Sequence, residues 1–186
     1  MNKMKTIDLV LCGMFAALTA IGAFIQVPVP GMDYFTLQFF FVIMAGMLLG
    51  SKLGAVAVGV YVLLGLCGLP IFAAGGGIGY VLRPSFGYLL GFIVAAFVSG
   101  LVVEKLALTG LKKYLAAAFL ALIVCYAIGL TYKYFMLNFY VGEQTPVYLV
   151  FLDCFPIDLP GDIFLCIVAS LCGTKLRPEL IKYKSR

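Results

Sequence analysis

The chain has 186 residues, 64% of them hydrophobic and only 11% charged, with a formal net charge of +5 and a mean hydropathy of +1.14. A soluble domain is about half apolar and about a quarter charged, so this composition excludes one and points to a polytopic helical membrane protein. The basic surplus is no nucleic-acid footprint, because outside the C-terminal tail no basic run is interleaved with aromatics.

Histidine is absent. That removes Ser-His-Asp chemistry, histidine-ligated metal and a histidine proton relay together, and the chain reads as a non-enzyme with no metal and no cofactor. The six cysteines (Cys12, Cys67, Cys125, Cys154, Cys166 and Cys172) fall mostly in apolar runs and form no CxxC pair. They read as small hydrophobes rather than a disulfide frame.

Six apolar spans follow one another: Ile7–Ile25, Leu37–Leu49, Leu53–Leu66, Ser85–Val103, Leu115–Met136 and Ile157–Cys172. They predict an all-α integral membrane protein built as a single six-helix domain over residues 1–186. The basic start MNKMKTIDLV leads into a helix with no small-residue cleavage site, so the first span reads as a mature helix. The second, third and sixth spans are short for a bilayer. The second and third, separated by Gly50-Ser51-Lys52, form a tight helical hairpin.

With the N-terminus inside, every Lys and Arg except Arg83 and Lys133 collects on one side. The positive-inside rule then makes both termini cytoplasmic. Arg83, Lys133 and the acidic residues Asp33, Glu143, Asp153, Asp158 and Asp162 fall at or near the outer side.

Small residues mark helix contacts. Gly87, Gly91, Ala95 and Ser99 recur every four positions in the fourth span, and Gly13/Ala17, Ala16/Ala20 and Thr19/Ala23 do so in the first.

The stretch from Ala73 to Phe92, AAGGGIGYVLRPSFGYLLGF, sets Gly75, Gly76, Gly77 and Gly79 beside Tyr80, Arg83 and Pro84. Glycines let backbone approach a guest closely, and Pro84 marks a helix start. Bare N–H groups, a ring and a guanidinium at a helix mouth suit a small, flat anion. A tight connection is the plainer reading. The dinucleotide spacing fails at Tyr80 and Leu82, and Gly173-Thr174-Lys175 is no P-loop because Val168 replaces the first glycine.

Two charges in or beside apolar spans carry a functional reading by default. Lys133 shares a helix face with Tyr126, Gly129 and Leu137; it either faces a ligand or snorkels to the outer headgroups. Asp162 follows Pro160-Gly161, as a helix N-terminal carboxylate favouring the macrodipole, a ligand acceptor, or both.

Thr36-Leu37-Gln38, the GGGIGY…PSFGYLLGF block and Leu159-Pro160-Gly161-Asp162 together resemble the BioY family, in order along nearly the whole chain. Its members are the biotin-specific substrate-binding (S) components of energy-coupling factor (ECF) transporters. The resemblance implies a six-helix protein of the bacterial cell membrane with an outward-facing vitamin pocket closed by outer loops. It implies as partners a transmembrane coupling (T) subunit and two ATPase subunits, which alone use ATP. It also makes Ala16-x-x-x-Ala20 the docking patch for the coupling subunit.

Within that reading Asp162 accepts from the ureido N–H groups of biotin and Gln38 adds a neutral hydrogen bond. Tyr80, Gly77 and Gly79 cover the bicycle, with Tyr126 on the Lys133 face. Arg83 or Lys133 pairs the carboxylate. The family pattern has glycine at Arg83, so the resemblance assigns that residue nothing. The rivals are an S component for riboflavin or thiamine, a small integral-membrane enzyme, and a structural membrane protein.

Overall fold

The computed structural model of the chain describes residues 5–28, 34–154 and 158–184. Lys3, Asp33, Ile157 and Arg186 lie outside the described residues, as do the side chains of Asp153, Cys154 and Lys184. The protein is mostly helical: α1 (Thr6–Phe24), α2 (Gln38–Leu49), α3 (Ser51–Leu66), α4 (Phe86–Lys105), α5 (Gly110–Phe135), α6 (Val147–Cys154) and α7 (Asp158–Lys184). A short antiparallel hairpin, β1 (Gln26–Pro28) with β2 (Tyr34–Thr36), sets Val27 opposite Phe35. One 3₁₀ turn (Ile78–Leu82) precedes α4, and a π-helical turn (Met136–Val141) prolongs α5.

By length and composition four segments can cross a membrane: Thr6–Phe24, Phe86–Lys105, Gly110–Val141 and Asp158–Tyr183. α2 and α3 are apolar but shorter, with 12 and 16 residues. The last helix corrects its expected end at Cys172 and runs on to Lys184. Apolar patterning ends where the membrane does, but Lys175, Arg177, Glu179 and Lys182 are themselves good helix formers. α6 and the hairpin were not expected, being too short to register as spans.

α2 lies at the centre, packed against α1, α3, α4 and α7, with Val42, Ile43, Ala45 and Met47 fully buried. Missing side chains make this possible. A Cβ at Gly46 would strike Ser99 and the Ala96 carbonyl, one at Gly54 would meet the Gly46 backbone, and one at Gly100 would meet the Gly50–Ser51 peptide. The predicted seam on α4 is therefore a contact surface, and it serves two neighbours. Its start, Gly87 and Gly91, packs on α5 at Tyr132 and Cys125, while Ser99 and the adjoining Gly100 meet α2 and the elbow. Large apolar side chains such as Val10, Ile123 and Phe164 point outward, more than 60% exposed, as lipid-facing residues do.

The α2–α3 elbow turns at Gly50, whose φ of +91° is glycine territory. Glu104 of α4 reaches over it: one carboxylate oxygen accepts from the Ser51 N–H (2.9 Å) and the other from the Ser51 hydroxyl (2.7 Å). A carboxylate at a helix N-terminus also favours the macrodipole. Arg177 of α7 donates to the Met47 carbonyl at 2.6 Å, which serves the opposite, C-terminal end of α2. These contacts gather the elbow, the end of α4 and residues 173–177 of α7 at one end of the bundle. Cys12 on the Leu53 carbonyl brings the N-terminal half of α1 there too.

Glu104→Ala, which removes both bonds, should destabilise the detergent-solubilised protein by about 1–2 kcal/mol, the usual cost of losing a helix cap. Glu143→Ala, at an exposed loop position, should change little. Thermal unfolding followed by fluorescence-detected size exclusion checks this, and equal midpoints would remove the elbow clasp from the stability of the fold.

Candidate ligand site

At the end of the bundle opposite the elbow, a cavity of about 100 Å³ is framed by the hairpin, the start of α2, the 3₁₀ turn, the start of α4, α5 and the start of α7. Its polar lining includes Gln38, Ser85, Lys133, Asp158 and Asp162, and its aromatic lining includes Phe39, Tyr80, Tyr88, Phe92 and Tyr126.

Asp162 and Tyr126 meet directly. The Tyr126 hydroxyl donates to Asp162 Oδ2 at 2.9 Å, which orients the carboxylate and leaves Oδ1 and further lone pairs for other donors. Tyr88 stands edge-on to Tyr126, with ring centroids 5.8 Å apart. It fits there because a side chain at Gly129 would collide with its ring.

α7 starts at Asp158, one turn before Asp162. The reading of Asp162 as the N-terminal carboxylate of its helix is therefore corrected. Asp158 occupies the first turn, and Pro160 falls early enough in the helix that its missing N–H costs little. Gly161, without a Cβ, admits the Phe35 ring of the hairpin against α7.

Gln38 is buried, and its amide is the middle of a chain of hydrogen bonds. Thr36 Oγ1 donates to Gln38 Oε1 at 3.2 Å, Gln38 Nε2 donates to the Tyr61 hydroxyl, and that hydroxyl donates to the Ile71 carbonyl. The chain joins the hairpin, α2, α3 and the following loop. One amide N–H and one carbonyl lone pair remain.

Tyr80 forms a wall, with its ring 4.6 Å from Phe72. Arg83 lies over the same ring at 5.4 Å and is exposed, a cation–π contact. Arg83, Gly77 and Gly79 are not among the lining residues.

The glycine loop departs from expectation. Two of its N–H groups are taken up within the protein: Gly77 N–H donates to the Gly65 carbonyl of α3 at 2.7 Å, and Phe72 and Gly75 exchange backbone bonds. Gly75 and Gly77 adopt φ of +110° and +99°, and a side chain at Gly76 would strike the Leu69 carbonyl. The glycines shape the turn that delivers Tyr80.

The structure thus brings Gln38, Tyr80, Tyr126, Lys133 and Asp162 around one cavity and leaves Gly77, Gly79 and Arg83 off its wall. Asp158 and Ser85 are added to it. The spacing of Asp158 and Asp162, one helical turn apart, was the available signal for the first. For the second there was none beyond its place in the PSFGYLLGF block.

On α1 the small residues divide. Ala16 is buried in this chain's own core, Ala20 is half-buried, and Gly13 and Ala17 are exposed. Ala16 is turned away from any outside partner, because it lies on the same face as Cys12, Phe15 and Thr19, which the bundle covers.

The fold and the cavity define a helical membrane protein with a small-molecule cavity at one end of its bundle. The profile described as the BioY family matches residues 1–182, and the chain belongs to that family. A probable biotin transporter BioY of Lysinibacillus sphaericus is 42% identical over 176 residues, covering 95% of this chain and 89% of that one. The biotin transporter BioY of Thermotoga maritima is 46% identical over 137 residues, covering 73% and 77%. The crystal structure of an S-component for biotin from an ECF-type ABC transporter is similar with a TM-score of 0.71 at 27% identity, covering 96% of this chain and 94% of the other.

The burial of Ala16 has a measurable consequence. Ala16→Leu overpacks the core and should cost about 1–3 kcal/mol in detergent, while Ala17→Leu on the exposed side should be close to neutral. Melting of the two variants checks the facing of α1; equal midpoints would mean that Ala16 is not enclosed.

Proposed function

We propose that this protein is the biotin-binding S component of an ECF-type, ATP-driven vitamin transporter, and that the cavity at the hairpin end is its biotin site. The observation that carries the reading is the Asp162–Tyr126 pair in the same cavity as Lys133, in a chain of the BioY family. Tyr126 and Lys133 are seven residues apart on α5, a rise of about 10 Å. A fused bicycle with a five-carbon acid tail bridges such a span.

In this reading Asp162 accepts from the ureido N–H groups, Gln38 adds its remaining amide N–H, and Tyr80 with its aromatic neighbours covers the bicycle. Lys133 pairs the carboxylate. Lys133 is preferred over Arg83 because Arg83 lies exposed on the Tyr80 ring, away from the cavity wall. Gly77 and Gly79 act through the shape of the loop.

The chain is proposed to be one six-span domain in the bacterial cell membrane, with α6 outside the spans and both termini cytoplasmic. Support comes from the described basic residues, which except for Arg83 and Lys133 lie at α1's start, at the α2–α3 elbow, around the α4–α5 connection and toward the end of α7. The solved relative comes from an ECF-type ABC transporter. This supports assembly with a transmembrane coupling subunit and two ATPase subunits, with Ala20 and the neighbouring exposed face of α1 as the docking surface.

In a cysteine-free background, a cysteine at Gly142 should react with a membrane-impermeant maleimide on intact cells, and one at Thr109, in the α4–α5 loop, should not. Labelling at Thr109 would reverse the orientation.

The binding reading rests on Asp162. A hydrogen bond to a charged group contributes about 1.5–3 kcal/mol, or about tenfold to more than a hundredfold in affinity. Asp162→Asn keeps the shape but turns an NH₂ toward ureido donors, so biotin binding should weaken at least about tenfold in a folded, inserted protein. Dethiobiotin, which keeps the ureido group, should lose a similar factor, and Glu143→Gln should bind as the parent does. Titration of the purified protein checks this, with riboflavin and thiamine as competitors. Unchanged biotin affinity in Asp162→Asn, or displacement by either vitamin, would refute the assignment.

A further inference from the structure

Ser85 occupies the position just before α4, where a serine ordinarily turns its hydroxyl back onto the free N–H groups of the first turn. It makes no such bond. Its backbone is already helical, with φ −72° and ψ −15°, whereas a capping residue is extended. Its Oγ is buried without a hydrogen-bond partner among the described residues, and the residue lines the cavity. A buried hydroxyl left unmatched is costly and uncommon. One in a cavity wall has an obvious remedy in the guest.

Packing between helices says which end of a guest it meets. Gly87 lies against Tyr132 and Gly129, and Gly91 against Cys125, so α4 and α5 run antiparallel. Two residues before Gly87, Ser85 comes level with Tyr132 and Lys133. Tyr88, one turn deeper, is already beside Tyr126. Ser85 thus belongs to the Lys133 end of the cavity, and Asp162 with Tyr126 to the other.

We propose that the Ser85 hydroxyl donates a hydrogen bond to the carboxylate tail of the bound vitamin, beside Lys133, and so selects the free acid over its amide. The assignment rests on the biotin reading given above. An ammonium is a donor-only point charge on a flexible stem; it attracts an anion without fixing it. A hydroxyl at the start of a rigid helix adds a directional donor to the second carboxylate oxygen, and a charge-assisted bond of this kind is among the stronger ones. An amide offers one neutral oxygen and an NH₂ that meets the ammonium unfavourably.

The test uses the full chain purified in detergent, titrated with biotin and with biotinamide, which keeps the ureido bicycle and replaces the acid. Ser85→Ala should weaken biotin about tenfold and biotinamide less than about threefold, while Ser85→Thr, which keeps a hydroxyl, should hold biotin within about threefold of the parent. Without ligand Ser85→Ala should melt no lower than the parent, since it removes an unmatched polar group. Unchanged biotin affinity in Ser85→Ala would overturn the proposal. So would equal losses for acid and amide, which would place the hydroxyl at the ureido end or in a structural role. Failure of the biotin reading itself shows separately, as a parent protein that binds neither compound, and takes this proposal with it.

Discussion

Backbone touching backbone at Gly46, Gly54 and Gly100 is the contact on which the rest of the molecule depends. α2 and α3 have 12 and 16 residues, whereas crossing a bilayer alone takes about 20. Lipid contributes no hydrophobic drive between helices, so short helices are held by close packing, and only glycine lets the axes approach this far. The elbow between them then exposes helix ends that lipid cannot hydrogen-bond. Glu104 and Arg177 serve those ends from α4 and α7, so the central pair is tied to two of its long neighbours.

Once α2 is fixed at the centre, its free N-terminus fixes the cavity. Leu37 N–H bonds back to the carbonyls of Gly22 and Ile25, and Gln38 is locked between Thr36 and Tyr61. The first turn of α2, the end of α1 and the hairpin are therefore bonded to one another. Opposite them, Tyr132 donates to the Val81 carbonyl and ties α5 to the turn carrying Tyr80. The polar side chains of the cavity thus project from elements already bonded to one another. Such prior ordering lowers the cost of immobilising a ligand.

Much of this was legible in the sequence, for identifiable reasons. Hydropathy marked the apolar helices, four of them long enough to cross a membrane, and four-residue spacing gave the α4 seam because helix geometry imposes that. Gln38, Tyr80, Tyr126, Lys133 and Asp162, singled out because polar and aromatic groups in apolar context are rare, line one cavity. Glycine density says that backbone comes close without saying to what; here the neighbours include the loop itself and Gly65 of α3. Ala16 misled because a small residue marks close packing on either side of a helix, and only the tertiary fold reveals which side. Ser85 was invisible because an unused hydroxyl has no one-dimensional signature.

The two ends of the bundle spend their charges differently, and this argues for which end is functional. At the elbow end Glu104 and Arg177 bond the Ser51 N–H and hydroxyl and the Met47 carbonyl, where two helices meet. At the other end, among the described residues, Asp162 keeps unused lone pairs after its bond from Tyr126, Gln38 keeps one N–H, and the Ser85 hydroxyl has no partner. There the start of α2 is tied to the end of α1 by the Leu37 N–H on the Gly22 and Ile25 carbonyls, while α7 carries Asp158 in its first turn. Acid, base and hydroxyl at that end line one common space. Charged and polar groups placed within a membrane protein at such cost are then explained by what enters that space rather than by what holds it together.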